Sequence, residues 1–91
     1  MLFAWDPKKA TSNLRKHGVS FAEAQTVFDD PLARIFDDQD HSYDERRELI
    51  IGTSARGRLV LVGFTERLRS IRLVFARPLT RAEVHDYEES R

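Results

Sequence analysis

Apolar and polar positions change their period along this chain, and each change marks an element. Leu2-Phe3-Ala4-Trp5 is a short apolar run that reads as an edge strand. Asp6-Pro7 supplies an N-cap followed by proline at the first helical position, where a backbone N–H has no partner to lose. Ala10, Leu14 and His17 then fall at i, i+4 and i+7, a narrow stripe on one helix face, and Gly18 ends the helix. Ser20-Phe21-Ala22-Glu23 has the spacing of a capping box and starts a second helix, with Phe21, Ala24, Val27 and Phe28 as its inner side. Asp29-Asp30-Pro31 stops it.

Past Pro31 the period shortens to two. Leu32 to Phe36 reads as a strand, and residues 37–46 as a polar, acidic loop. Glu48–Thr53, Leu59–Thr65 and Ser70–Ala76 are stronger strands, joined by Ser54-Ala55-Arg56-Gly57-Arg58 and by a turn around Arg67-Leu68-Arg69. Pro78 closes the last strand. Thr80-Arg81-Ala82-Glu83 is a second capping box and opens a helix from Arg81 to Glu89. The order β-α-α-β-β-β-β-α predicts an α+β fold. We expect an antiparallel meander of three to four strands plus the short N-terminal strand, two N-terminal helices and one C-terminal helix, with residues 1–91 forming one domain.

Composition narrows the class. The chain is 41% apolar and 33% charged, which suits a folded domain and not a disordered one. No apolar run approaches the ~20 residues of a membrane span, and the N-terminus lacks the basic start and apolar core of a signal peptide. A cytoplasmic address without membrane partners is the expectation. With no cysteine, disulfides and thiolate metal sites are excluded. The zero net charge hides an asymmetry. Residues 1–28 carry four basic and two acidic side chains, residues 29–48 three and eight, and residues 49–91 eight and five. Such separation suits partners of opposite charge on different surfaces, or simply an uneven surface.

Arginine dominates the candidate chemistry. Arg67, Arg69, Arg72, Arg77 and Arg81 fall within 15 residues and interleave with apolar strand positions. Guanidinium groups grip phosphate through two parallel hydrogen bonds, so RNA is the ligand class this pattern suggests. The structural alternative is a solvated strand face with cross-strand ion pairs to Glu48 or Glu66. By period two, Ile71, Leu73 and Phe75 share one face, and Ser70, Arg72, Val74 and Ala76 the other. Metal-free RNA cleavage needs a base for the 2′-hydroxyl proton, positive charge on the non-bridging oxygens and an acid for the leaving oxygen. Arginine supplies charge but is a poor acid, its pKa lying above ~12. Glu66, His17 and Tyr87 are therefore the proton carriers to consider, each with a structural alternative: a turn salt bridge, a helix C-terminus and a core-edge aromatic.

Asp37, Asp38, Asp40, His41 and Asp44 invite a metal reading. The run lacks the glycine and terminal glutamate of a calcium loop, and the paired histidines or cysteines of a zinc site. Neither a metal nor another cofactor is expected; an acidic, mobile loop is the better reading, and it could instead meet a basic partner protein.

Several segments then resemble one family. They are Phe3-Ala4-Trp5-Asp6-Pro7-Lys8-Lys9-Ala10, Asn13 to Phe21, Val27-Phe28-Asp29-Asp30-Pro31, Arg56-Gly57-Arg58, Phe64-Thr65-Glu66-Arg67, Ile71-Arg72 with Ala76-Arg77, and Thr80-Arg81-Ala82-Glu83 with Tyr87-Glu88. Their order and spacing are similar to the BrnT toxins of type II toxin–antitoxin pairs, and the likeness covers nearly the whole chain. The resemblance implies a RelE-like fold and an RNA endonuclease that halts translation. It also implies direct neutralisation by a small BrnA-type antitoxin, a heterotetrameric complex, and contact with operator DNA only through that antitoxin. Glu66, Arg67, Arg77, His17 and Tyr87 become the expected catalytic set, with Arg58, Arg72 and Arg81 holding RNA phosphates. The rival class is a non-catalytic nucleic-acid- or protein-binding module on the same scaffold. A repressor acting alone is disfavoured, because no helix-turn-helix recognition helix is evident.

Overall fold

The computed structural model describes residues 2–42 and 45–90. Five strands form one sheet: β1 (Leu2–Ala4), β2 (Arg34–Asp37), β3 (Arg47–Thr53), β4 (Leu59–Arg67) and β5 (Ser70–Pro78), in the order β1-β5-β4-β3-β2. Three helices, α1 (Pro7–His17), α2 (Phe21–Thr26) and α3 (Arg81–Glu89), complete the α+β domain expected from the sequence. The β2–β5 meander is antiparallel, but β1 pairs parallel with β5, so the sheet is mixed.

Capping chemistry sets the helix starts. The Asp6 carboxylate accepts from Lys8 N–H, and Gly18 ends α1 at a φ of 70°. Thr80 and Glu83 form the full reciprocal box at α3. At α2 only half of the expected box forms. Ser20 accepts from Glu23 N–H, while the buried Glu23 carboxylate turns away to Arg58 and Ser54.

One face of the sheet is covered by α1 and α2. Val19, Phe21, Ala24 and Val27 pack there on Ile50, Val60, Val62, Phe64, Ile71, Leu73 and Ala76. The inner residue of α1 is Asn13, 6% exposed, and not Leu14, which is 51% exposed. β1 covers β5 only as far as Arg72, so the backbone of Ala76 needs another partner. The Asn13 amide supplies both halves: its Oδ1 accepts from Ala76 N–H at 3.0 Å and its Nδ2 donates to Ala76 C=O at 2.8 Å.

A bulge divides β5. Gly63 pairs with Phe75 and Phe64 with Leu73, which leaves Val74 unopposed. The extra residue exchanges the faces beyond it. Ile71, Leu73 and Ala76 enter the core, whereas Phe75 moves to the second face and lies over Gly63. The strict alternation expected for this strand therefore holds only up to Val74.

The second face is half covered. At one end Ile51, Leu61 and Arg77 form a cross-strand row, and α3 rests there: Glu83 grips Arg77, and the Tyr87 hydroxyl donates to Ile51 C=O. The row at the other end, Arg47, Thr65 and Arg72, is not covered by α3 and faces an open cleft. The rows lie four positions apart along β4, roughly 13 Å at the usual strand rise.

Candidate active site

The open end of the second face is a cleft of about 260 Å³. Arg47, Thr65, Arg67, Arg72 and Val74 line it from β3, β4 and β5. Lys9 reaches it from α1, and His41 and Glu45 from the connection between β2 and β3. The strand register explains the convergence. Arg47, Thr65 and Arg72 are mutual cross-strand neighbours, and Arg67 follows Thr65 by two residues, so all four side chains emerge on one face.

Charge in the cleft is strongly uneven: three arginines and a lysine against one carboxylate. Glu45 is committed to Arg67 through two hydrogen bonds of 3.0 and 3.1 Å. Both partners are about half exposed, so this exchangeable pair adds little stability. Among the described residues, the side chains of Lys9, Arg47 and Arg72 make no hydrogen bond or ion pair, although Ser42 Oγ accepts from Arg47 N–H at 3.0 Å.

An Asp–His pair stands at the rim. His41 Nδ1 lies 3.1 and 3.2 Å from the two oxygens of Asp38, whose carboxylate is largely buried. Asp38 is itself fixed, its N–H donating to Arg47 C=O at 2.9 Å and its C=O accepting from the Ser42 hydroxyl at 2.7 Å. With Nδ1 held by the carboxylate, Nε2 is the ring nitrogen left for chemistry. This connection read as an acidic loop; the fold brings its histidine to the cleft and turns Asp38 inward. Asp44 lies outside the described residues. Among the described residues, no three His, Asp or Glu side chains are placed to hold a metal ion.

The expected site residues divide. Arg67 and Arg72 lie in the cleft. Glu66 does not: β4 continues through Arg67, so adjacent Glu66 and Arg67 point to opposite faces. Arg77 sits at the far end of β5, forked onto Glu83 at 2.7 and 2.9 Å. That guanidinium holds the Glu83 carboxyl down at about 2. Arg58 is likewise forked onto Glu23 at 2.7 and 2.8 Å, and its hydrogen bonds are the main reason the Glu23 pKa is lowered. Tyr87 is buried, donates to Leu32 C=O at 3.0 Å, and lies beneath the Arg34 guanidinium. His17 is exposed at the end of α1 and Arg81 at the start of α3, both outside the cleft. Lys9, Asp38, His41, Glu45, Arg47 and Thr65 were not singled out for this site by the sequence. Only strand parity, which puts Thr65 with Arg67 and apart from Glu66, carried a signal there.

A half-covered sheet face with an arginine-lined cleft and an Asp–His pair defines a small α+β domain with a cationic cleft. The same fold is seen in the crystal structure of the Brucella abortus ribonuclease toxin BrnT. The match has a TM-score of 0.68 at 20% identity and covers 89% of this chain and all of that one. The model of the family described as ribonuclease toxin, BrnT, of type II toxin–antitoxin system matches residues 5–83. The chain belongs to the BrnT family and is a ribonuclease toxin of a type II toxin–antitoxin system, with RNA as substrate and an antitoxin protein as partner. No curated protein matches it.

Proposed function

We propose that RNA is cut in the open cleft of the second sheet face, without a metal ion. The observation that carries this reading is the convergence of Lys9, Arg47, Arg67 and Arg72 beside an oriented histidine. The 2′-hydroxyl oxygen attacks the adjacent phosphorus, the bond to the 5′-oxygen breaks, and the products are a 2′,3′-cyclic phosphate and a 5′-hydroxyl end. The proton leaving the 2′-hydroxyl passes to one of His41 and Glu45, and the other returns a proton to the departing oxygen. Negative charge gathering on the non-bridging oxygens is met by Arg47 and Arg72, whose guanidinium groups have no partner to give up among the described residues. Arg67 exchanges Glu45 for phosphate, which frees that carboxylate for proton transfer.

The test is cleavage of a defined RNA in the presence of EDTA, with end-group analysis. A 2′,3′-cyclic phosphate is expected, and a strand with one 2′-deoxy sugar at the cut should survive. Metal-dependent cleavage leaving a 5′-phosphate would overturn the mechanism.

Cleaved messenger RNA accounts for translational arrest in the cytoplasm. A BrnA-type antitoxin binding directly, in a heterotetramer that alone contacts operator DNA, accounts for control. A protein partner is supported by edge strand β2, where Ile35 and Phe36 are 56% and 44% exposed within the acidic stretch. An uncovered apolar edge is a pairing surface, and a DNA-binding antitoxin carries the complementary positive charge. Ile35→Asp with Phe36→Asp should abolish co-purification with the antitoxin and leave cleavage intact.

A further inference from the structure

Thr65 stands at the centre of the cleft floor, with Arg47 as its cross-strand neighbour on β3 and Arg72 on β5. It is 3% exposed, and its Oγ1 is the one buried side-chain polar atom without a hydrogen-bond partner among the described residues. A buried hydroxyl left unpaired is unfavourable. Valine would fill the same volume on a strand, with the same β-branching and no polar atom to satisfy. Among the described residues, then, the fold carries a hydroxyl that no protein group uses, between two guanidinium groups whose side chains also have no partner there.

We propose that Thr65 is a substrate-binding residue whose hydroxyl donates to a non-bridging oxygen of the phosphate being cleaved. This rests on placing cleavage in the same cleft. Thr65 lines the cleft, and its hydroxyl can be redirected by a change of staggered well about Cα–Cβ. Arg47 and Arg72 flank the phosphate from the two neighbouring strands, and Thr65 meets it from beneath. As the phosphorus becomes five-coordinate, charge on that oxygen grows and the hydrogen bond strengthens, so the hydroxyl acts on kcat more than on KM. No proton leaves Thr65 during the reaction.

The test is Thr65→Val beside Thr65→Ser, Arg72→Ala and His41→Ala, assayed for cleavage of one RNA and for thermal unfolding. Thr65→Val is expected to lose about 10²-fold in kcat with KM little changed and a Tm at or above wild type. Thr65→Ser should recover most of the rate. A single phosphorothioate at the mapped cleavage bond adds a readout that fold stability cannot move. One of its two diastereomers should slow wild type more than it slows Thr65→Val. If Thr65→Val cleaves like wild type while Arg72→Ala and His41→Ala are inactive, the role of Thr65 is overturned and the cleft stands. If all three variants cleave like wild type, the cleft itself is misplaced. A Tm several degrees below wild type for Thr65→Val, restored by serine, would show a structural partner for the hydroxyl and would also overturn the proposal.

Discussion

Arg77 and Glu83 are joined by two hydrogen bonds, and the same carboxylate accepts from Thr80 N–H to close the capping box of α3. One glutamate thus starts the last helix and ties it to the last strand. Arg77→Ala should lower stability by about 1–2 kcal/mol, the worth of charge-assisted hydrogen bonds at a half-buried site. That corresponds to a Tm fall of roughly 5–10 °C for a domain of this size. Cleavage per folded molecule should persist. A variant with wild-type Tm and no activity would instead put Arg77 in the chemistry.

The acid limb of stability follows from the two forked carboxylates. Glu83 is held at about 2 by Arg77, against 4.5 for an ordinary glutamate, and Glu23 is lowered by Arg58. A lowered folded-state pKa means the unfolded chain takes up the proton first. The stabilisation is therefore complete above the ordinary glutamate range and is lost as pH falls from there toward 2. Tm should stay level from neutral pH down to about 5 and decline below that. Glu83→Gln, which cannot titrate, should start lower and decline less steeply. An identical slope would rule out Glu83 as a source of the acid limb.

Arg47→Ala and Arg72→Ala should each reduce kcat/KM by about 10²-fold or more, with Tm unchanged, because neither side chain has an internal partner to abandon among the described residues. RNA affinity of the wild type should also fall with salt, and each substitution should flatten that dependence by about one phosphate contact. Filter binding over a salt series measures this. A wild-type slope in both variants would remove them from the RNA path.

His41→Ala should cost about 10²–10⁴-fold in kcat, as expected for a lost proton carrier. Asp38→Asn retains the imidazole but changes what Nδ1 meets, so it should lower kcat by loosening the ring's orientation. Wild-type kcat for Asp38→Asn would leave Asp38 with structural duty only.

Gly63→Ala tests the bulge on β5. A Cβ on Gly63 would run into the ring of Phe75 on the facing strand. Relief requires a shifted ring rotamer or a moved strand, at about 1–3 kcal/mol. Chemical denaturation should show the loss. Phe75→Ala combined with Gly63→Ala should show less than the two effects added together, because the clash is shared.

Most of the fold was legible before any coordinate. Asp6-Pro7, Ser20 and Thr80 announce the three helix starts, and alternation from Leu32 onward announces the meander, whose first strand begins at Arg34. Those signals are local: a capping oxygen lies within three residues of the N–H it serves, and side-chain direction on a strand has a period of two. The same logic failed where a distant partner intervened. Glu23 fits a capping box, yet Arg58, 35 residues away, captures its carboxylate. Leu14 fits an apolar stripe, yet Asn13 is buried instead, because Ala76 needs an amide 63 residues along the chain.

From its own residues the sequence established an α+β domain, an excess of arginine in its second half and a likeness to one toxin family. Which cations act together was decided by tertiary structure alone. Register places Arg47 and Arg72 on either side of Thr65, and a single bulge puts Arg77 under α3, whose Glu83 then neutralises it. Cross-strand distance is set by pairing between segments far apart in the chain, and no local pattern of side chains contains it.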